Sequence, residues 1–263
     1  ADGSADHVLA QLPPGLENRR RSIHKDVCNP YGWLARLGAG HFVELLGDHF
    51  AREAWLLRYC RALLLEKGQP ELAAQVAHAA WGRQGDGFGP RQLGSLVLPL
   101  SREAVVWVHD EPGVRRAWLD LGEAEVLGLD CESGWVGDES RAVLLQIARR
   151  ERCYLFDLVA LDGSEALTSM LGDLLCSQAL KLGFSCAGDL KLLGCSQLST
   201  RRVLDLQAAW QASKKLALRD VVQLALQQPL CKWEQCSNWS RRPLRASQLH
   251  YAALDAWCLL RCG

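Results

Sequence analysis

Apolar residues repeat with one period in the first third of the chain and with another after residue 95. Between about 31 and 82 they recur at helical spacing: Phe42, Leu45, Leu46, His49 and Phe50, then Ala54, Trp55, Leu56 and Tyr59. Leu63, Leu64 and Leu65 run into Gly68-Gln69-Pro70, a helix stop and restart, and Leu72, Val76, Ala79 and Ala80 resume the stripe. This predicts two or three packed helices. Residues 1–30 are polar and broken by prolines, and 82–90 reads as a linker. Its glycines lack the preceding strand and following Lys-Ser/Thr of a phosphate loop. Beyond 95 the runs shorten and alternate. They predict strands at Ala104–His109, Glu125–Glu132, Ala142–Ala148, Cys153–Leu158, Ala179–Phe184 and Val203–Leu206. Helices are predicted at Val114–Leu121, Glu165–Cys176, Gly188–Leu193, 217–226 and 248–261. The charged turn Arg149–Arg152 makes two of those strands an antiparallel pair. The pattern is α/β: a mixed sheet covered by helices, behind an N-terminal α-helical segment. The division falls at 1–95 and 96–263.

Composition narrows this reading. Hydrophobic residues are 49% and charged residues 23% of 263, which excludes a mostly disordered chain. Lys+Arg and Asp+Glu are 30 each, so a uniformly basic nucleic-acid coat is excluded and a local basic surface is not. The eleven Cys are scattered, with no C-x-x-C pair and no zinc-ligand spacing. They predict reduced thiols in a cytosolic or nuclear compartment. No apolar run reaches the roughly 18–20 residues that span a bilayer, and no signal-peptide core is found near the start. The first residue is Ala1, as expected of a fragment or a processed form.

Four carboxylates carry the candidate chemistry. Leu127-Gly128-Leu129-Asp130-Cys131-Glu132 is an apolar strand ending in two acids that alternation puts on one face. Burying both is costly unless a cation neutralises them, although acids also leave a sheet into solvent. Asp189 follows the strand and small-residue turn Lys181–Gly188, where a helix cap is the plain alternative. Tyr251 and Asp255, four apart, share a face of the last predicted helix, for which Ser247 is the expected N-cap. That face could equally be a solvated stripe.

Together, Asp-x-Glu on a strand, a later Asp after a strand and turn, and Tyr-x-x-x-Asp on the last helix resemble the DEDDy-type 3′–5′ exonucleases of the ribonuclease D / Werner family. Leu155-Phe156-Asp157-Leu158, Val203-Leu204-Asp205-Leu206-Gln207, Gln235-Cys236-Ser237-Asn238-Trp239, Arg242-Pro243-Leu244 and Tyr251-Ala252-Ala253-Leu254-Asp255-Ala256 extend the likeness from about 96 to 263. With its helical N-terminal segment the chain is most similar to the Nibbler / mut-type group. The resemblance implies a ribonuclease-H-like fold and two divalent cations, Mg²⁺ or Mn²⁺, on Asp130, Glu132, Asp189 and Asp255. Asp130 would bridge them, and Tyr251 would orient the attacking water. A sister subfamily uses His-x4-Asp, which His250 also satisfies. On a continuous helix Tyr251 lies about 40° from Asp255 and His250 about 140°, so Tyr251 is favoured.

The implied substrate is the 3′ end of single-stranded RNA. DNA ends, or a catalytically dead binding protein on the same fold, are the alternatives. An Argonaute-type protein partner is implied for the N-terminal helices, with a helical cap packed on the nuclease domain as the slightly favoured alternative. From Ser199 to Gly263 ten Lys/Arg stand against four acids. Lys232, Trp239, Arg242 and Arg245 in that stretch are the candidate nucleic-acid contacts. Two runs depart from the family pattern. Ser133-Gly134 intervene before Trp135, and Leu226-Gln227-Gln228-Pro229-Leu230-Cys231-Lys232 replaces Leu-Gly-x-x-Leu-Asp-Lys.

Overall fold

A computed structural model describes residues 64–66, 68–71, 73–74, 94–195, 200–210, 216–232, 234–235 and 237–263. Most of the expected helical segment, the 82–90 linker and the first 30 residues lie outside them. Where the segment is described, helical turns at 64–66 and from 70 flank Gly68. Its φ of +68° and the bond from Gln69 N–H to Leu64 O are a left-handed helix stop, which glycine adopts without steric cost. The chain divides into two compact units: 1–85 with 135–139 and 235–238, and 86–134 with 140–234 and 239–263.

Among the described residues six strands form one mixed sheet: β1 Val105–Val108, β2 Val126–Val136, β3 Glu139–Arg149, β4 Arg152–Asp157, β5 Leu180–Gly183 and β6 Val203–Asp205. Their spatial order is β1-β4-β3-β2-β5-β6. β3 and β4 are antiparallel about the charged turn, pairing Leu145 with Phe156 and Ile147 with Tyr154. β1 runs parallel to β4, β2 to β5 and β5 to β6. Parallel neighbours need crossovers, and helices supply them.

On one face, α1 (Glu111–Gly122) and α2 (Glu165–Cys176) cover the sheet. Asp110 caps α1 by accepting from Gly113 N–H at 2.8 Å, and Ser164 caps α2 by accepting from Leu167 N–H. Beneath them Val114, Ala117, Leu121, Met170, Leu171 and Leu174 pack on Leu127, Leu145, Ile147 and Phe156. Each of these side chains except Ala117 contributes about 1.5–3 kcal/mol on full burial. Lys181 of β5 is wholly buried, and its Nζ donates to Ser177 O at 2.9 Å beyond the end of α2. It is a structural lysine.

Three short helices follow: α3 Cys186–Leu192, α4 Leu206–Ala209 and α5 Leu218–Leu226. The last, α6 (Ala246–Cys262), packs against β4, β5 and β1 and is buried almost all round. A helix so enclosed must approach the sheet closely, and Gly128 permits it: a Cβ there would stand 2.0 Å from Ala256 O. Trp257 Nε1–H closes the far end of the seam by donating to Arg150 O at 3.0 Å. The cap lies two residues before the expected one. Arg245 is the N-cap, and its N–H donates to the Gln248 side chain at 3.0 Å, so Ser247 lies inside the helix. β2 likewise runs on past Glu132 through Ser133-Gly134 to Val136.

Candidate active site

The close seam between β2 and α6 brings the acids together. Asp130 and Glu132 come from β2 and Asp255 from α6, and one carboxylate oxygen of each lies within 4.8 Å of the others. Asp255 is 4% exposed, and the other two are half-buried. Three like charges this close resist ionisation. Burial pushes Asp130 well above the usual carboxylate range, and Asp255 and Asp189 push it further. Burial does the same to Glu132, followed by the charges of Asp130 and Asp255. Asp189, on α3, accepts from Cys131 Sγ–H at 3.4 Å. Burial outweighs that bond and raises its carboxyl to about 6.

The set is short of positive charge. Lys232 approaches it, with Nζ 2.9 Å from Asp255 Oδ2 and 3.2 Å from the Tyr251 hydroxyl. The other oxygen of Asp255, Oδ1, is buried without a partner among the described residues. A buried anionic oxygen left unpaired is costly. Hard carboxylate oxygens crowded on one point, one of them unpartnered, fit a hard divalent cation.

Tyr251 sits one helical turn before Asp255. Burial first, and then the charges of Asp255 and Glu132, raise its phenol well above the ordinary range. It therefore keeps its proton and can donate a hydrogen bond. His250, its neighbour, points elsewhere: it is 2% exposed and its Nε2 accepts from Leu98 N–H at 3.1 Å. Burial lowers it to about 4, so it is neutral near pH 7. His250 is therefore a packing residue.

The expected nucleic-acid contacts have different surroundings. Trp239 is 2% exposed and packs on Tyr251, ring centroids 5.9 Å apart. Arg242 grips Asp157 with two bonds of 2.7 and 2.8 Å and donates to Val143 O and Trp239 O. Arg245 pairs with buried Glu234. These three hold the loop before α6. Lys232 is within the acidic centre itself. Sequence reasoning gave no role to the Asp157–Arg242 pair, to Cys131 or to Gly128. An Asp ending an apolar strand was the available signal for the first.

A family model described as 3′–5′ exonuclease matches residues 105–262. The chain belongs to the 3′–5′ exonuclease family. The exonuclease domain is similar to the exonuclease mut-7 homolog of Homo sapiens, 32% identical over 204 residues, covering 62% of this chain and 22% of that one. The chain thus spans about a fifth of that relative's length. Among solved structures it is similar to the Nibbler EXO domain of Aedes aegypti, with a TM-score of 0.58 and 27% identity, covering 64% of this chain and 89% of that one. Ribonuclease D of Trypanosoma brucei, solved in complex with RNA U12, shares the fold at a TM-score of 0.53 and 23% identity, covering 60% of each chain. These neighbours agree with the mixed sheet and helical layers: the exonuclease domain is ribonuclease-H-like. Among its described residues no helix is long and apolar enough to cross a membrane.

Proposed function

We propose that the chain is a metal-dependent 3′–5′ exonuclease that removes nucleotides from the 3′ end of single-stranded RNA, in the manner of small-RNA trimming. The observation that carries this reading is the convergence of Asp130, Glu132 and Asp255 within 4.8 Å, with a buried Asp255 oxygen unpartnered. Divalent cations on such a set polarise the scissile phosphate and lower the pKa of a bound water.

The protein's own contribution is positional. Asp130, Glu132 and Asp255 would hold one cation, and Asp130 with Asp189 the other. Tyr251, protonated, orients the attacking water and does not remove its proton. Attack at phosphorus breaks the bond to the 3′ oxygen and releases a nucleoside 5′-monophosphate. RNA is preferred over DNA because ribonuclease D, solved with RNA, shares the fold. The N-terminal segment is assigned to protein contacts, of Argonaute type by family resemblance.

The test is a time course on 3′- and 5′-labelled single-stranded RNA and DNA with Mg²⁺, Mn²⁺ or EDTA. The expected result is stepwise shortening of 5′-labelled RNA, immediate release of 3′ label, and no reaction in EDTA. Cleavage indifferent to EDTA would overturn the metal-dependent reading, and equal rates on DNA the RNA preference.

A further inference from the structure

Lys232 lies between α5 and α6, its side chain 16% exposed, and its ammonium bonds both Asp255 and Tyr251. Nζ also stands 5.2 Å from the centre of the Tyr251 ring. Its charge is paired with the acid cluster through Asp255, whose carboxylate lies within 4.8 Å of those of Asp130 and Glu132. It therefore performs, for the acid cluster, part of what a divalent cation would do. It does so on a carboxylate that the cation also needs. Two positive charges cannot share Asp255 at close range without repulsion. An ammonium on a flexible four-carbon stem can leave, and it suits phosphate as a compact point charge. Its backbone is in neither helix, while the adjacent Leu230 and Cys231 are buried and keep its reach local.

We propose that Lys232 is the resident counter-ion of the acidic centre, competing with a divalent cation for Asp255 until the phosphate of a bound 3′ end takes the ammonium over. The consequence is coupling. Cation alone binds weakly because it must displace the ammonium. Phosphate makes that displacement easy, and each ligand strengthens the other. Cation is thereby held most firmly when a nucleic-acid end is present. This rests on the metal-dependent reading above and adds the device that links its two ligands.

The test is calorimetric titration of the 263-residue chain with Mn²⁺, without and with adenosine 5′-monophosphate, correcting for Mn²⁺–nucleotide binding in solution. We expect the nucleotide to tighten Mn²⁺ binding about tenfold in the unaltered chain. Lys232→Met should bind Mn²⁺ alone about tenfold more tightly and lose most of the coupling. Lys232→Arg, which keeps the charge, should retain both the weak affinity and the coupling, and serves if Lys232→Met fails to fold. Unchanged or weaker Mn²⁺ affinity in Lys232→Met, tighter binding in Lys232→Arg, or coupling undiminished by loss of the ammonium would overturn the proposal. No Mn²⁺ binding by any of the three would instead overturn the metal-dependent reading itself.

Discussion

Two adjacent residues on α6, His250 and Tyr251, face different surroundings, and that difference sets their chemistry. Tyr251 shares a hydrogen-bonding lysine with Asp255, and its proton is held by burial and by surrounding carboxylates. Tyr251→Phe keeps the ring packed on Trp239 and removes only the hydroxyl. Single-turnover cleavage should fall by about a hundredfold or more, while the dissociation constant for single-stranded RNA barely moves. An equal loss in both would mean that the hydroxyl acts by binding RNA and not by orienting the water. His250 acts on stability. It titrates near 4 when folded against 6.5 for a free imidazole, so the unfolded chain takes up a proton that the folded one refuses. Its contribution is fully present above pH 6.5 and is lost as pH falls toward 4, by about 3 kcal/mol in full. Asp189 works the other way. Raised from 3.8 to about 6, it binds a proton more readily when folded, so acid relieves its burial in nearly the same window. His250→Gln separates the two, since the carboxylates are common to both proteins. Denaturant unfolding at pH 7 and pH 5 should show the unaltered chain losing more stability than the variant; parallel losses would remove His250 from the account.

The active site exists because two elements meet, and Gly128 sets how closely. β2 supplies Asp130 and Glu132, α6 supplies Tyr251 and Asp255, and the helix backbone lies where a Cβ of residue 128 would be. Gly128→Ala must push α6 outward or bend β2. Overpacking of this kind costs about 1–3 kcal/mol, and here the obstacle is backbone that cannot rotate away. Displacement of even a fraction of an ångström also separates the two halves of the cation site. We expect a lower melting temperature together with Mn²⁺ affinity weakened about tenfold or more; a variant that melts lower yet binds Mn²⁺ unchanged would show that the seam can open away from the acids. This contact is one that patterning does not reveal. Alternation assigned Asp130 and Glu132 to a single face, and helical spacing put Tyr251 beside Asp255, because both depend only on local periodicity. Element ends depended on other elements. β2 continues past Glu132 alongside its neighbouring strand, and α6 is capped at Arg245 because the Gln248 side chain accepts that N–H.

Charge is legible in total but not in use. The ten bases after Ser199 suggest a phosphate track, yet Arg242 answers Asp157, Arg245 answers Glu234 and Lys232 answers Asp255. Asp157 lies outside the counted stretch, 85 residues from Arg242, so no local balance could include it. The pairing is a property of the fold. Arg242 ties the loop before α6 to β3 and β4, and through that loop Trp239 reaches Tyr251. The acids, their lysine, this tie and the six-stranded sheet with its core all fall after residue 94. The site residues all belong to one compact unit. A polypeptide of residues 94–263 is large enough to bury its own core. It should therefore melt in one cooperative transition and shorten single-stranded RNA in Mg²⁺ at a rate close to that of the full chain. An N-terminal segment that serves protein contacts would leave both measurements nearly unchanged on its removal. Loss of the cooperative transition would make residues before 94 part of the catalytic unit's core. A normal transition with lost cleavage would instead make them part of the path by which nucleic acid reaches Asp130 and Asp255.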